Sequence, residues 1–180
     1  MKHLSIFLSM FYSIFCFAQN CEIPINELGN FEISEVIEAK EYSKAEIYDA
    51  AILSLSDYVS NADNLTKFRD REIGAFVTEL EVSVKPVLGV DNLFFFNLKV
   101  EVKEGRYKIT SNYIENLFIL SEDSTCKCRS DIAYDDCDAM GCIVLKKRWA
   151  KTKCEAIYIL EVLLKEYNKA VAINLSNSDW

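Results

Sequence analysis

The sequence predicts an α+β fold in which helices cover one face of a curved antiparallel β-sheet. Two segments, residues 75–85 and 93–103, alternate strictly between apolar and polar side chains, as strands do when one face is buried and the other is exposed to solvent. Two other segments, residues 44–62 and 149–175, carry apolar residues at helical spacing. The resulting order is β-α-β-β-β-β followed by a helix, which is typical of an α+β sandwich.

The first half of the chain supplies a strand and then a helix. Residues 31–37 are rich in β-branched side chains and alternate in part, which favours a strand. Ser43 is a suitable helix N-cap, and Glu46, three residues later, completes a capping box. The helix should then run from Lys44 to about Ala62, with one apolar face formed by Ile47, Ala51, Leu55, Tyr58 and Ala62.

The remaining strands are joined by short turns, and a helix follows them. Residues 66–69 predict a short strand that turns before Gly74, and Glu104-Gly105 predicts a tight hairpin into a strand over residues 106–113. The closing helix has an apolar stripe that should pack on the same sheet, formed by Ile157, Leu160, Leu164 and Val171.

The first eighteen residues have the features of a cleaved secretory signal peptide. Lys2 precedes an uncharged apolar run over residues 4–17, and Ala18 and Cys16 supply small residues at −1 and −3 of the cleavage site. An uncleaved membrane anchor is less suited, because a bilayer needs about 20 apolar residues. Acylation of Cys16 or Cys21 is also less suited, since neither follows a small residue. We therefore expect a secreted or periplasmic protein, cut after Ala18, with no transmembrane segment after cleavage.

Three parts follow along the chain. Residues 1–18 form the signal peptide, residues 19–120 the α+β domain, and residues 121–180 a cysteine-rich loop and a C-terminal helix packed on that domain. The sequence contains no internal repeat.

Charge and histidine content exclude several classes of function. Cleavage removes Lys2 and no acidic residue, so the net charge falls from −8 to −9, and it also removes His3, the single histidine. Without imidazole, the chain cannot build a Ser-His-Asp or Cys-His nucleophile or a histidine-containing zinc site. No basic stripe is available to neutralise phosphates, so nucleic acid is not an expected partner. No phosphate-binding loop is present, and we expect no cofactor.

Six cysteines remain after cleavage, and their even number in an oxidising compartment predicts disulfides. Five of them lie within residues 126–154, around a polar, acidic segment that cannot stabilise itself by burial; crosslinks there would contribute about 2–4 kcal/mol each. The two at 126 and 128 are too close to pair comfortably and should bridge to different partners. Cys21 would tie the N-terminal lead to this region, and the pairing of the six cysteines stays open. The disulfide candidates are Cys21, Cys126, Cys128, Cys137, Cys142 and Cys154.

The same loop could also bind an ion. A C-x-C at residues 126–128 and a C-x4-C at residues 137–142 could form a thiolate cluster, but zinc knuckles usually have C-x2-C spacing in reducing compartments. Four aspartates could bind calcium, but they lack the EF-hand register and its closing Glu. A solvated acidic loop and no metal site are therefore favoured. The aspartates are Asp131, Asp135, Asp136 and Asp138.

Three segments in this order are recognisable together: Tyr-Ser-Lys-Ala-Glu-Ile-Tyr at residues 42–48, Phe-Arg-Asp-Arg-Glu-Ile-Gly at 68–74, and Leu-Lys-Val-Glu-Val-Lys-Glu-Gly-Arg-Tyr at 98–107. Over about residues 33–115 the chain resembles a family of secreted Gram-negative bacterial proteins described as a domain of unknown function with a TATA-binding-protein-like fold. Lys108 stands where that family usually has Arg. The resemblance implies the fold, and it implies no activity, because a fold does not determine function.

We expect a non-enzymatic binding or interaction module of the cell envelope. Its exposed sheet face, with alternating charges and aromatic rims, would bind a protein, peptide or glycan. The alternative is a histidine-free hydrolase that uses paired carboxylates, Glu79 and Glu81 on one strand and Glu101 on a neighbour. Ordinary cross-strand charge pairing is the simpler interpretation, because lysines share these faces at Lys85, Lys99 and Lys103.

Overall fold

The computed structural model describes residues 21–56, 66–87, 90–121, 124–128 and 146–177. The predicted signal peptide and the acidic aspartate loop lie outside these ranges. The described residues form six strands and two helices in the order β1 (Glu32–Glu38), α1 (Lys44–Ser56), β2 (Thr66–Asp70), β3 (Ala75–Val87), β4 (Val90–Lys103), β5 (Arg106–Ser121), β6 (Ser124–Cys128) and α2 (Lys146–Ser176).

The six strands form one antiparallel sheet in the order β1-β5-β4-β3-β2, with β6 also paired to β5. The strand β5 is long enough to hold two partners along one edge. Its first part, residues 106–112, pairs with β1, and residues 116–121 pair with β6. A register shift against β4 falls between these parts, at Phe95/Phe96 of β4.

Strict alternation in β3 and β4 divides the sheet into two faces, as the sequence predicts. One face is buried under both helices, and its side chains join the helix stripes in one hydrophobic core. The sheet contributes Phe76, Leu80, Val82, Val84, Phe94, Phe96, Leu98, Val100, Val102, Tyr107 and Ile109, and the helices contribute Ile47, Ala51, Leu55, Ile157, Leu160, Leu164, Tyr167, Val171 and Leu175.

The two helices also contact each other through polar groups. The hydroxyl of Tyr167 on α2 donates to the carbonyl of Ala51 on α1 at 3.0 Å. The amide of Asn174 donates to the hydroxyl of Ser54 at 2.8 Å. Burial raises the pKa of Tyr167 well above its ordinary value, so this hydroxyl stays protonated and remains a donor. These bonds join the two helices beyond the apolar contact.

Two strands differ from the sequence prediction. The strand β5 runs to Ser121 instead of ending near residue 113, and β6 lies in a segment predicted as loop. The residues of β6, Ser-Thr-Cys-Lys-Cys, do not show the apolar alternation of a strand with one buried face. Backbone hydrogen bonds to β5 hold this segment at the edge of the sheet. Periodicity therefore could not predict it.

The predicted N-terminus of α1 is confirmed. The carboxylate of Glu46 accepts hydrogen bonds from the backbone N–H and the hydroxyl of Ser43 at 2.8 and 2.6 Å. This is the capping box expected from the sequence. The described helix ends at Ser56, so Tyr58 and Ala62 lie outside the described residues. In the part of the chain that the structure covers, no helix has both the length and the apolarity needed to cross a membrane.

Candidate functional site

The three recognisable motifs meet around the start of α1, a region we call the motif corner (residues 42–49, 70–74 and 102–105). Glu104, at the β4–β5 turn, accepts a hydrogen bond from the backbone N–H of Lys44 at 3.1 Å. The backbone of Gly105 bonds to both sides of the segment between β1 and α1, donating to Tyr42 and accepting from Ala39. The hairpin thereby caps a helix that begins 60 residues earlier in the chain.

The β2–β3 turn contacts the same helix. Lys44 Nζ donates to the carbonyl of Glu72 at 2.6 Å, and the guanidinium of Arg71 holds both carboxylate oxygens of Asp49. Gly74 has a φ of 77°, and a Cβ there would lie 2.9 Å from the carbonyl oxygen of Val102. Only glycine fits this close approach without strain.

The motif corner therefore uses its polar groups internally. Glu46 is bonded to Ser43, Asp49 to the guanidinium of Arg71 and Glu104 to the start of α1, and Lys44 is bonded to a backbone carbonyl. This arrangement explains why the motifs are recognisable: they hold three distant segments in one place. The groups bonded in this way serve the fold and are not directed at a common point where they could act on a ligand.

The second region is the helix-free face of the sheet. The helices pack on the opposite face, so the outward side chains of β2 to β5 are not covered by either helix. Phe68 is 45% exposed, and the apolar residues of the inner strands are half-buried among charged neighbours. We define this face by Phe68, Val77, Glu79, Glu81, Leu93, Phe95, Asn97, Lys99, Glu101, Lys108, Thr110, Asn112 and Leu117.

The three carboxylates considered for hydrolysis do not converge on this face. The register places Glu79 opposite Asn97 and Glu101 opposite Ala75. Four residues along β4 therefore separate the two positions, which is about 13 Å. Glu81 lies nearer to Glu79, about 7 Å along the same strand, but Glu79 is paired with Lys67.

Both outer carboxylates form ion pairs instead. Lys67 Nζ lies 2.7 Å from Glu79 and also donates to the amide oxygen of Asn97 at 3.2 Å. Lys99 Nζ lies 2.8 Å from Glu101. These two pairs of charges thus neutralise each other, as the lysine content of these strands suggests.

A groove of about 340 Å³ lies between β1 and α2, away from the helix-free face. The amide of Asn168 occupies its wall: its oxygen accepts from the hydroxyl of Tyr107 at 3.1 Å, and its nitrogen donates to Glu35 at 3.2 Å. Burial, together with the charge of Glu35, raises the pKa of Tyr107, so its hydroxyl stays a donor. The groove is lined by Glu35, Val162, Lys165, Glu166, Asn168 and Lys169.

Sequence reasoning missed this groove, although one signal was present. Glu35 lies on the same face of β1 as Ile33 and Ile37, which are two residues away on either side. Both isoleucines pack against the core under the helices. A carboxylate at that position of a strand is unusual. Its partner Asn168 is 133 residues away, so no local pattern could connect them.

Of the six cysteines, Cys21 and Cys154 form a disulfide across 133 residues, with their Cα atoms 5.6 Å apart. The bond ties the N-terminal lead to α2. Cys126 and Cys128 lie in β6, and Cys137 and Cys142 lie outside the described residues, so their pairing stays a prediction. Within the described ranges, no three His, Cys, Asp or Glu side chains group in a way that could hold a metal ion. The aspartate loop lies outside those ranges.

Comparison with known proteins agrees with this architecture. The chain is similar to a TBP-like protein from Parabacteroides distasonis, with a TM-score of 0.61 and 14% identity over 83% of this chain and 97% of that one. It is also similar to a DUF4468 family protein from Bacteroides ovatus, with a TM-score of 0.53 and 16% identity over 85% and 90% of the two chains. No curated protein matches it.

These similarities show an α+β, TBP-like fold, and a family model covers the region that holds the motif corner and the main sheet. The segment matched starts in β1 and ends within β5. It agrees with the extent of about residues 33–115 expected from the motifs alone. Residues 34–116 therefore belong to the family described as a domain of unknown function (DUF4468) with TBP-like fold.

Proposed function

We propose that this protein is a non-enzymatic interaction module of the bacterial cell envelope, and that its helix-free face binds a protein, peptide or glycan of that compartment. The observation that carries the proposal is a sheet face that neither helix covers and that combines half-buried apolar residues with paired charges. An apolar patch rimmed by polar groups is a common form of binding surface.

The apolar part of this face lies at the end farthest from the β4–β5 turn. Leu93 on β4 is directly opposite Leu117 on β5, and Phe95 lies between Glu81 and Glu115 on the neighbouring strands. An aromatic ring beside two carboxylates offers a flat apolar contact together with hydrogen-bond acceptors. Peptides and sugar rings both use such a combination.

The other end of the face supplies the polar part. Lys99 and Lys108 flank Glu101 in the register of β4 and β5, and Asn97 is directly opposite Asn112. Paired amides and long charged side chains can donate and accept hydrogen bonds without a buried, unpaired charge. The face therefore combines polar groups, which are hydrated in the unbound protein, with apolar groups that a partner can bury.

Export is part of the proposal, and two features support it. The signal-like segment ends at Ala18, so Cys21 would lie at the third position of the processed chain. The disulfide between Cys21 and Cys154 would then anchor the new N-terminus to α2. Disulfides persist in the periplasm and outside the cell and are rare in the reducing cytosol.

The export step can be tested by N-terminal sequencing of the protein from fractionated bacteria. We expect the periplasmic or secreted form to begin at Gln19, and a mass map without reductant to contain the Cys21–Cys154 crosslink. A full-length protein recovered in the cytosol, with both thiols free, would contradict export.

The binding face can be tested with the purified chain from residue 19 onward and three immobilised probes: peptidoglycan fragments, outer-membrane glycans and a library of envelope-protein peptides. We expect one probe class to bind, and Phe95→Ser to weaken that binding at least tenfold. Tyr158→Ser is the matched control, because Tyr158 is a 66% exposed aromatic residue on α2.

Two outcomes would overturn the proposal. Equal binding by Phe95→Ser and the unsubstituted chain would show that the face is not the site. Release of soluble fragments from a probe would show catalysis and would favour the hydrolase alternative. Circular dichroism of each variant separates loss of binding from loss of folding.

A further inference from the structure

We infer that the edge of β1 that faces away from β5, with the groove between β1 and α2, is a second binding site, which takes an extended peptide bearing lysine or arginine side chains. The site lies on a sheet edge and does not depend on the helix-free face. Three features support it: an open backbone edge, a groove beside that edge, and the negative charge of β1.

The backbone of β1 alternates between two directions, and two hydrogen bonds identify them. The N–H of Ala39 donates to Gly105 at 2.8 Å, toward β5, whereas the N–H of Glu32 donates to Pro24 at 3.1 Å, away from β5. In an antiparallel strand, successive residues point their backbone groups to opposite sides. Ser34 and Val36 share the direction of Glu32, so their N–H and C=O groups face outward.

In the described part of the chain, β1 ends the sheet on this side. Its seven residues pair with β5 without a register break, so the edge is regular. Proteins usually protect such edges with lysine, proline, a bulge or a covering element. Within β1 the edge has no lysine, proline or bulge, the N-terminal lead bonds only its first residue, Glu32, and Val36 is 54% exposed. Strand addition by a peptide uses this kind of edge.

The groove would receive side chains of the added strand. Alternate side chains of a strand beside β1 would point to the helix side, where Glu35 forms one wall. Asn168 bonds one oxygen of Glu35 and is itself held by Tyr107, so the carboxylate is oriented toward the groove. Val162, 40% exposed, offers an apolar surface for the aliphatic stem of a long cation.

Charge decides what kind of strand fits. The strand β1 carries Glu32, Glu35 and Glu38 and no cation. A second copy pairing edge to edge would bring glutamates beside glutamates, which is unfavourable. A strand carrying lysine or arginine is complementary. On the helix wall, Lys169 is neutralised by Glu166 at 2.5 Å, and Lys165 is the remaining cation facing the groove.

The probe is a synthetic decapeptide of alternating lysine and threonine, compared with a decapeptide of alternating glutamate and threonine. Titration is followed by calorimetry and by the backbone amide signals of the protein. We expect the lysine peptide to bind at least tenfold more tightly than the glutamate peptide, and to shift the amide signals of Ser34 and Val36. Replacing alternate threonines with proline should abolish binding, because proline has no N–H.

Protein variants test the two contributions separately. Glu35→Lys should weaken binding of the lysine peptide at least tenfold, and Lys165→Glu should strengthen it several-fold. Glu72→Lys is the matched control, since it makes the same charge change at the β2–β3 turn on the opposite edge. Val36→Pro removes one outward N–H and no bond to β5, and it should abolish binding while the melting temperature shows that the chain is folded.

Several results would overturn the inference. Equal binding of the lysine and glutamate peptides, or equal effects of Glu35→Lys and Glu72→Lys, would remove the charge argument. Signal shifts confined to the helix-free face would place the peptide there and support the proposed function instead. Concentration-dependent dimerisation with protection of the Ser34 and Val36 amides would identify a second copy as the occupant.

Discussion

The motif corner and the helix-free face use the same kinds of side chain in opposite ways. In the corner, Glu104 and Lys44 bond to backbone groups of other segments, and no space remains around Gly74. On the face, Lys67 and Glu79 bond to each other at the surface, and Phe68 stays half exposed. The residues of the motif corner therefore maintain the fold, and a binding function has to be sought outside that corner.

Among substitutions in the motif corner, we expect one at Gly74 to reduce the stability of the fold most. Gly74→Ala should lower the free energy of unfolding by about 2–4 kcal/mol, because strain at positive φ adds to a clash with the carbonyl of Val102. Gly29→Ala is the matched control: its φ is 81°, but no atom lies within 4 Å of the added Cβ. It should cost about 1 kcal/mol. Equal losses in denaturant titrations would show that the corner is not closely packed.

The next effect is the loss of the helix cap from the hairpin. Glu104→Ala should cost about 1 kcal/mol, because the backbone N–H of Lys44 loses its acceptor and the helix end loses a favourable charge. Glu104→Gln should recover part of this loss, since the amide oxygen still accepts. Lys103→Ala, one residue earlier, should be nearly neutral. A neutral Glu104→Ala in the same denaturant titrations would contradict the role of the hairpin as a cap.

On the helix-free face, ion pairs should matter much less for stability. A double-mutant cycle on Lys67→Ala and Glu79→Ala should give a coupling energy below about 1 kcal/mol, because both side chains are partly exposed and screened by water. The same variants should alter binding to the envelope probe. A coupling energy above about 2 kcal/mol would mean that the face, like the corner, serves the fold.

The smallest effect concerns pH. Hydrogen bonds from Ser43 lower the pKa of Glu46 below its ordinary value. A carboxyl group whose pKa is lower in the folded state stabilises the fold at neutral pH, and this contribution is lost as the pH falls through the lowered pKa. Glu46→Gln should therefore reduce the acid sensitivity of the melting temperature as the pH falls below the ordinary carboxyl pKa. An unchanged pH profile would contradict this contribution.

Much of the fold could be predicted from local patterns. Alternation located β3 and β4, helical spacing located α1 and α2, and Ser43 with Glu46 located the start of α1. The strand β6 could not be predicted, because its pairing with β5 depends on backbone bonds that leave no pattern in side chains. The sequence pattern places the residues of the helix-free face on one side of their strands, but it does not give the register between the strands.

Residue type and short-range spacing are enough to establish the fold class, the family of residues 34–116 and the lack of histidine after the signal-like segment. The pairing of distant residues follows instead from the three-dimensional packing, which brings together Cys21 with Cys154, Glu35 with Asn168, and the hairpin with the start of α1. Each of these contacts spans 60 residues or more. They depend on strand register and helix placement, which arise from packing the whole core.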